Sequence, residues 1–292
     1  MLIVMKDKTP ERGKSMSEET TGFIAEQGQK DQGDALRGSK LSQAIDMLQT
    51  ATGERTQEER VEIARQALAI SPECIEAWLL LASDDSGELE DTRNYLQEAV
   101  EAGDRLFADK KQEWTGKFWQ ISRTRSYMQA RSALGQVLWE LEQYEEAIAV
   151  LQETLRLNPG DHQGIRYILL KALLDTSRYE EAANLLNSYE QEQTTLMLYG
   201  KLLTTFMLQG DSLMARSAFL AARKQNPFVL DYLLHLRSMP QRLPKQSDTG
   251  QESEAIRFSA AFGDTWESAE GAIDYLRAQK KLRQDKESRK MR

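Results

Sequence analysis

The sequence predicts an all-α protein, a right-handed superhelical solenoid of helix-turn-helix repeats closed by a C-terminal helical cap. Three observations predict it. Pro159 and Pro227 stand 68 residues apart, two periods of 34, and each closes a similar phrase. Those phrases are YEEAIAVLQETLRLNP (144–159) and DSLMARSAFLAARKQNP (211–227), and an earlier copy, RVEIARQALAISP, ends at Pro72. Within the phrases apolar residues recur at three- and four-residue spacing, the period of a helix with one buried face. Composition agrees: 40% hydrophobic and 29% charged residues with only six prolines suit a mostly helical array.

A 34-residue period of paired helices ending in proline is the mark of the tetratricopeptide repeat. One such pair cannot bury its apolar face alone, so copies stack and leave a concave face for binding. The first repeat is expected near 41–74. Ala44, Ile45 and Leu48 share one face of its first helix. Thr56 with Glu59 forms a capping-box signal for its second, which stops before Pro72. The second repeat, near 75–104, carries Trp78, Leu81 and Ala82, then Tyr95, Leu96, Ala99 and Val100, with Gly103 as the expected helix end.

The rhythm then breaks, because Pro72 to Pro159 is 87 residues, two periods plus 19. The excess falls near 105–127, where Phe107, Trp114, Phe118, Trp119 and Tyr127 cluster. A long structureless loop is unusual inside a compact domain, so this insertion is expected to be helical. Its aromatic residues are read as core filling, with a second binding surface as the alternative.

The third repeat is the clearest. With Met128 at position 1, Gly135 falls at the small-residue position 8, Ala147 at 20 and Pro159 at 32. The fourth starts near Gln163 and the fifth near Gln193, with Tyr199 and Gly200 at positions 7 and 8. A turn near Gly210, three residues longer, is expected to bring Ala215, Phe219 and Ala222 into phase. After a short helix (229–236) and a polar stretch (238–252), Thr249 with Glu252 and Asp264 with Glu267 are read as two helix starts separated by a stop at Gly263. The expected organisation is a disordered segment 1–38, a repeat domain 39–279 whose cap spans 253–279, and a basic tail 280–292. Met16 offers an alternative start.

Three phrases carry a closer likeness: ERVEIARQALAISPECIEAWLLLA, NPFVLDYLLHLRSMPQRLP and SEAIRFSAAFGDTWESAEGAIDYL. They resemble the suppressor-of-tumorigenicity-seven family of helical-repeat proteins, in the manner of its soluble bacterial-type relatives. The likeness covers roughly 41–279 and is most specific from Pro227 to Tyr275. It implies a repeat domain with its own C-terminal cap that binds protein. It carries over no enzymatic activity, and the membrane segments of animal members have no counterpart here.

Chemistry is sparsely marked. His162 and His235 have no second His or Cys at ligand spacing, so no metal is expected. His162 is read as a turn residue and His235 as a partly buried helix residue. No glycine-rich phosphate loop occurs, and no serine lies in a nucleophile elbow, so neither cofactor nor catalytic residue is expected. Cys74, the only cysteine, cannot form an intramolecular disulfide. No stretch approaches the roughly 18 apolar residues of a membrane span, and a cytoplasmic protein is expected.

The resemblance to tetratricopeptide arrays implies the binding surface. In such arrays positions 2, 5, 9 and 12 of each first helix line the concave face. They predict Gln129, Ser132, Gln136 and Trp139 in the third repeat, Tyr167 and Lys171 in the fourth, and Thr194, Met197, Lys201 and Thr204 in the fifth. Lys171 and Lys201 are expected at equivalent places. The predicted partner is a protein or peptide carrying an acidic residue, with no small-molecule substrate. Net charge is −8, which disfavours nucleic acid. The stretch 277–292, with eight basic and two acidic groups, supports an alternative: a peripheral adaptor held by its tail to an anionic membrane surface or nucleic acid.

Overall fold

The structure, a computed structural model, describes residues 39–49 and 55–290, with side chains through Leu282. The expected disordered segment 1–38 lies outside the described residues. Among those described, every regular element is helical. The chain divides into two compact units, one ending at Ile165 and one beginning at Arg166.

The first unit holds three helix pairs. The first pair is α1 (Lys40–Gln49) and α2 (Gln57–Ile70), and the capping box that starts α2 is formed. Thr56 Oγ1 accepts from the Glu59 backbone N–H at 3.2 Å while Glu59 accepts from the Thr56 N–H at 2.9 Å. The second pair is α3 (Ile75–Asp84) and α4 (Leu89–Phe107). Ala44, Leu48, Val61, Ala64, Ala67 and Leu80 form one buried cluster, which includes Cys74. Burial raises the Cys74 thiol well above its usual pKa.

The expected helix end at Gly103 does not occur, for α4 continues to Phe107. Gly103 serves a different purpose. A Cβ placed there would lie 2.1 Å from the Tyr127 ring, so glycine permits the close approach of α4 to the next helix. That helix is α6 (Arg125–Glu140), paired with α7 (Tyr144–Leu157). Between α4 and α6 the insertion folds as short helical turns, Ala108–Lys110, the one-turn α5 (Lys111–Trp114), Phe118–Gln120 and Ser122–Thr124. Phe107, Phe118 and Tyr127 are buried within ring-to-ring distances of 5.7–6.2 Å, so the core-filling reading holds for these three. Trp114 and Trp119 are only partly buried. At the third repeat's small-residue position, a Cβ on Gly135 would meet Leu151 of the paired helix at 2.6 Å.

The second unit comprises α8 (Ile165–Asp175), α9 (Tyr179–Ser188), α10 (Thr195–Gln209), α11 (Leu213–Gln225), the short α12 (Val229–Leu233), α13 (Glu252–Ser268) and α14 (Ala272–Lys290). The expected stop at Gly263 is also overturned. Helix α13 runs through it, and the break falls at Gly271, whose φ is +74°. A single helical glycine costs only about 1 kcal/mol. The buried stripe of Ala255, Phe258, Phe262 and Trp266 outweighs it. Nor does Thr249 cap α13, whose N-cap is Gln251 without a side-chain bond. The tail boundary expected at 280 falls inside α14, and Lys280 is bound to Asp231 at 2.6 Å.

Two glycine substitutions separate these roles. Gly103→Ala should lose about 1–3 kcal/mol through overpacking against Tyr127. Gly263→Ala, with nothing within 4 Å of the added methyl, should gain about 0.5–1 kcal/mol. Urea unfolding midpoints of the two variants measure both.

Candidate functional site

The second unit's first helices carry a helix of the same chain. Helix α13 docks onto α8 and α10 by an aromatic stripe and two polar clamps. Tyr199 of α10 packs on Phe258 at 5.3 Å and on Trp266 at 6.4 Å, and its hydroxyl donates to the Asn226 carbonyl at 2.8 Å. One oxygen of Glu254 accepts from Thr195 Oγ1 at 2.7 Å, from the Gly250 N–H at 2.8 Å and from Asn226 Nδ2 at 3.0 Å. At the other end Lys171 bonds Asp175 at 2.6 Å and Thr265 Oγ1 at 3.2 Å, with its ammonium 5.3 Å from the Phe262 ring centre. Thr265 donates in turn to Asp175.

These contacts revise the predicted groove of the second unit. Lys171 faces α13 of the same chain, and its acidic partner is Asp175. Tyr167 is buried, donating to Glu192 beneath the Arg166 guanidinium, which lies 4.2 Å from its ring. Thr194 is the N-cap of α10, accepting from the Met197 N–H. Met197 is 2% exposed, and with the exposed Lys201 it borders a recess formed with Leu186, Tyr189 and Glu190. Thr204 is equally buried, with an unpartnered hydroxyl.

The cause is a register error in the fifth repeat. The turns within the third, fourth and fifth pairs are residues 141–143, 176–178 and 210–212, three residues each, so no longer turn exists near Gly210. Counting back from Ala182 and Ala215, Leu170 pairs with Leu203 and Lys171 with Thr204. Lys171 and Lys201 are therefore not equivalent. Gly200 earned its assignment by resembling Gly135, yet its Cβ would meet Leu170 of α8 at 2.8 Å, not its own paired helix.

The first unit keeps its predicted residues on one helix face. Gln129, Ser132, Gln136 and Trp139 of α6 are all partly exposed. Gln136 Nε2 reaches Ser132 only at 3.4 Å, and Trp139 rests on Tyr144 with ring centres 4.6 Å apart. Gln136 holds position 9 in the third repeat, the place Lys171 holds in the fourth.

The histidines are not brought together. His162 is exposed, bonds Asn158 Oδ1 at 3.1 Å and stacks on Trp119 at 6.3 Å. It lies in the turn before α8, as expected, and its neighbour Asp161 accepts from the Ile165 N–H at 2.7 Å. His235 departs from the expected partly buried helix position. It lies beyond α12 with φ +53°, its side chain 71% exposed and 2.9 Å from Glu267. Among the described residues no group of three His, Cys, Asp or Glu side chains could hold a metal ion, and no helix is long and apolar enough to cross a membrane.

Comparison with known proteins places this geometry in context. The family model described as "ST7 protein" matches residues 34–203. The "Protein ST7 homolog" of Caenorhabditis elegans is 26% identical over 271 residues, 79% of this chain and 49% of that protein. The "Suppressor of tumorigenicity 7 protein-like" of Gallus gallus is 25% identical, covering 83% and 47%, and that of Homo sapiens is 23% identical, covering 79% and 44%. The chain spans about half the length of the curated relatives it matches. Among solved structures, YrrB, titled a TPR protein with an unusual peptide-binding site, aligns with TM-score 0.43 and 16% identity, covering 69% of this chain and 91% of that one.

Burial sets a pH limit on the second unit. Burial and the Glu192 carboxylate push the Tyr167 hydroxyl up to about 12, and burial with Asp211 does the same for Tyr275. Both folded values exceed the ordinary 10.0, so their stabilisation is complete below about pH 10 and is lost as pH rises through about 12. Circular dichroism during an alkaline titration should show a loss of helix in that window, and a Tyr167→Phe/Tyr275→Phe variant should lose stability less steeply across it.

Proposed function

The chain belongs to the ST7 family, and on that premise we propose that it is a non-catalytic protein-binding scaffold whose α6 face takes an amphipathic helix or peptide of a partner. One observation carries this reading: equivalent places in neighbouring repeats are differently occupied. Lys171 at position 9 of the fourth repeat contacts Thr265 and Phe262 of a helix. Gln136, at position 9 of the third, has only a long contact to Ser132. A surface built by the same repeat chemistry thus accepts a helix in one case and stays open in the other.

The residues of α6 divide the work of such binding. Trp139 is the anchor, because a large, partly exposed indole contributes most when a partner covers it. Gln129, Ser132 and Gln136 offer amide and hydroxyl groups that both donate and accept, which orients a polar edge without requiring a charge. The acidic partner residue expected from the sequence loses one of its two cations here, since Lys171 already holds Asp175. The alternative of a tail-held adaptor gains nothing from Arg277 and Lys280, which bond Asp274 and Asp231.

The test is capture of partners from a lysate with the intact chain and with a Gln136→Ala/Trp139→Ala variant of unchanged circular dichroism. Partners held by the wild type should be lost or bound at least about tenfold more weakly by the variant. An unchanged set of captured proteins at unchanged affinity rules the α6 face out.

A further inference from the structure

The insertion between α4 and α6 carries a charge opposite to that of the protein. Residues 110–125 hold five basic groups and one acidic group, in a chain whose net charge is −8. Two of the five are neutralised within the fold. Lys110 pairs with Glu113 at 2.8 Å, and Lys111 pairs with Asp104 at 2.8 Å and Glu153 at 3.6 Å. The other three, Lys117, Arg123 and Arg125, form no ion pair among the described residues, and only Lys117 feels a carboxylate of the insertion, Glu113, at longer range.

Those three cations are mounted on a fixed platform. The backbone beneath them is pinned by Phe118 and Thr124, both fully buried. Thr124 Oγ1 donates to the Ile121 carbonyl at 2.8 Å, and the Gly116 N–H donates to the Leu157 carbonyl of α7 at 3.1 Å. The Arg123 guanidinium lies 4.5 Å from the centre of the Trp114 ring, and that of Arg125 lies 5.8 Å from Trp119. Stacking on an indole orients a guanidinium through its face and leaves its N–H edge free. Arg125 uses only its Nε, to the Trp119 carbonyl at 3.2 Å.

We propose that the 110–125 insertion is a second docking surface, one that receives the carboxylates of an acidic segment of a partner protein on Lys117, Arg123 and Arg125. It goes beyond the α6 face in both place and chemistry. Arginine edges held in one orientation match the paired oxygens of Asp and Glu. A short acidic peptide needs only these few cations of an otherwise acidic chain. A long polyanion or a charged membrane plane would also meet the repulsion of a chain whose net charge is −8. Single-stranded nucleic acid is further disfavoured because it binds by stacking bases on bare aromatic faces. Here Arg123 covers Trp114, and Arg125 and His162 cover Trp119.

The test uses the full chain and a fluorescent peptide of alternating Asp and Glu, with an Asn/Gln peptide of the same length as control. Fluorescence anisotropy should show at least about tenfold tighter binding of the acidic peptide, weakening steeply as salt is raised. A Lys117→Ser/Arg123→Ser variant alters two exposed side chains and should keep its circular dichroism while losing about tenfold in affinity. Arg123→Lys, which keeps the charge but removes the planar edge, should lose part of it. Gln136→Ala/Trp139→Ala should bind the acidic peptide normally, so failure of the α6 reading is distinguishable from failure of this one. Equal affinity for the two peptides, or an unchanged affinity in the double serine variant, overturns the proposal. So does tighter binding of oligothymidylate or of phosphatidylserine-containing vesicles that the double serine variant abolishes.

Discussion

The packing of α4 against α6 is the contact on which the rest of the first unit depends. Two helices can approach that closely only where one presents no side chain, and Gly103 supplies the gap into which the Tyr127 ring fits. Tyr127 then does two things at once. Its ring closes the aromatic core with Phe107 and Phe118, and its hydroxyl donates to Asp104 at 2.6 Å while accepting from the buried Arg131 at 3.0 Å. The insertion is held against the repeats by this cluster. Each aromatic pair adds about 0.5–1.5 kcal/mol beyond the area it buries. The basic residues of 110–125 owe their fixed positions to it, and so does the start of α6.

The same economy of repeat packing explains the second unit. The first helices of stacked repeats leave one face open unless something covers it. Here α13 provides the cover, with Phe258, Phe262 and Trp266 spaced four residues apart so that they fall on one side of a helix. The polar clamps at Glu254 and Lys171 fix the helix at both ends. Such clamps contribute modestly to stability, but they define where the apolar stripe must lie. The proposed α6 surface and the α13 contact are thus two uses of one repeat face, while the basic insertion is an addition that the repeat pattern does not require.

Legibility in the sequence followed the range of the interaction concerned. Thr56 and Glu59 form a capping box from four consecutive residues, and it was readable. Gly135 was readable because its repeat position and its packing role coincide. Gly103 and Gly263 were misread as helix ends, since a glycine marks either a stop or a close approach and only the neighbouring helix distinguishes them. The Tyr199–Gly200 pair imitates Leu134–Gly135 locally, and that likeness misplaced the fifth repeat by three residues. The even three-residue turns corrected it. The cations of the insertion carried a plain signal, five basic residues in sixteen, that the aromatic residues beside them obscured.

By itself the sequence determined the helical class, the proline-marked period and the family likeness, because each rests on local pattern that survives without knowledge of neighbours. Tertiary structure decided which lysine stays exposed, where the cap helix breaks and which basic groups lack a carboxylate. Those outcomes depend on what packs or pairs across tens of residues, as Lys171 does with Thr265, and no window of sequence contains both partners.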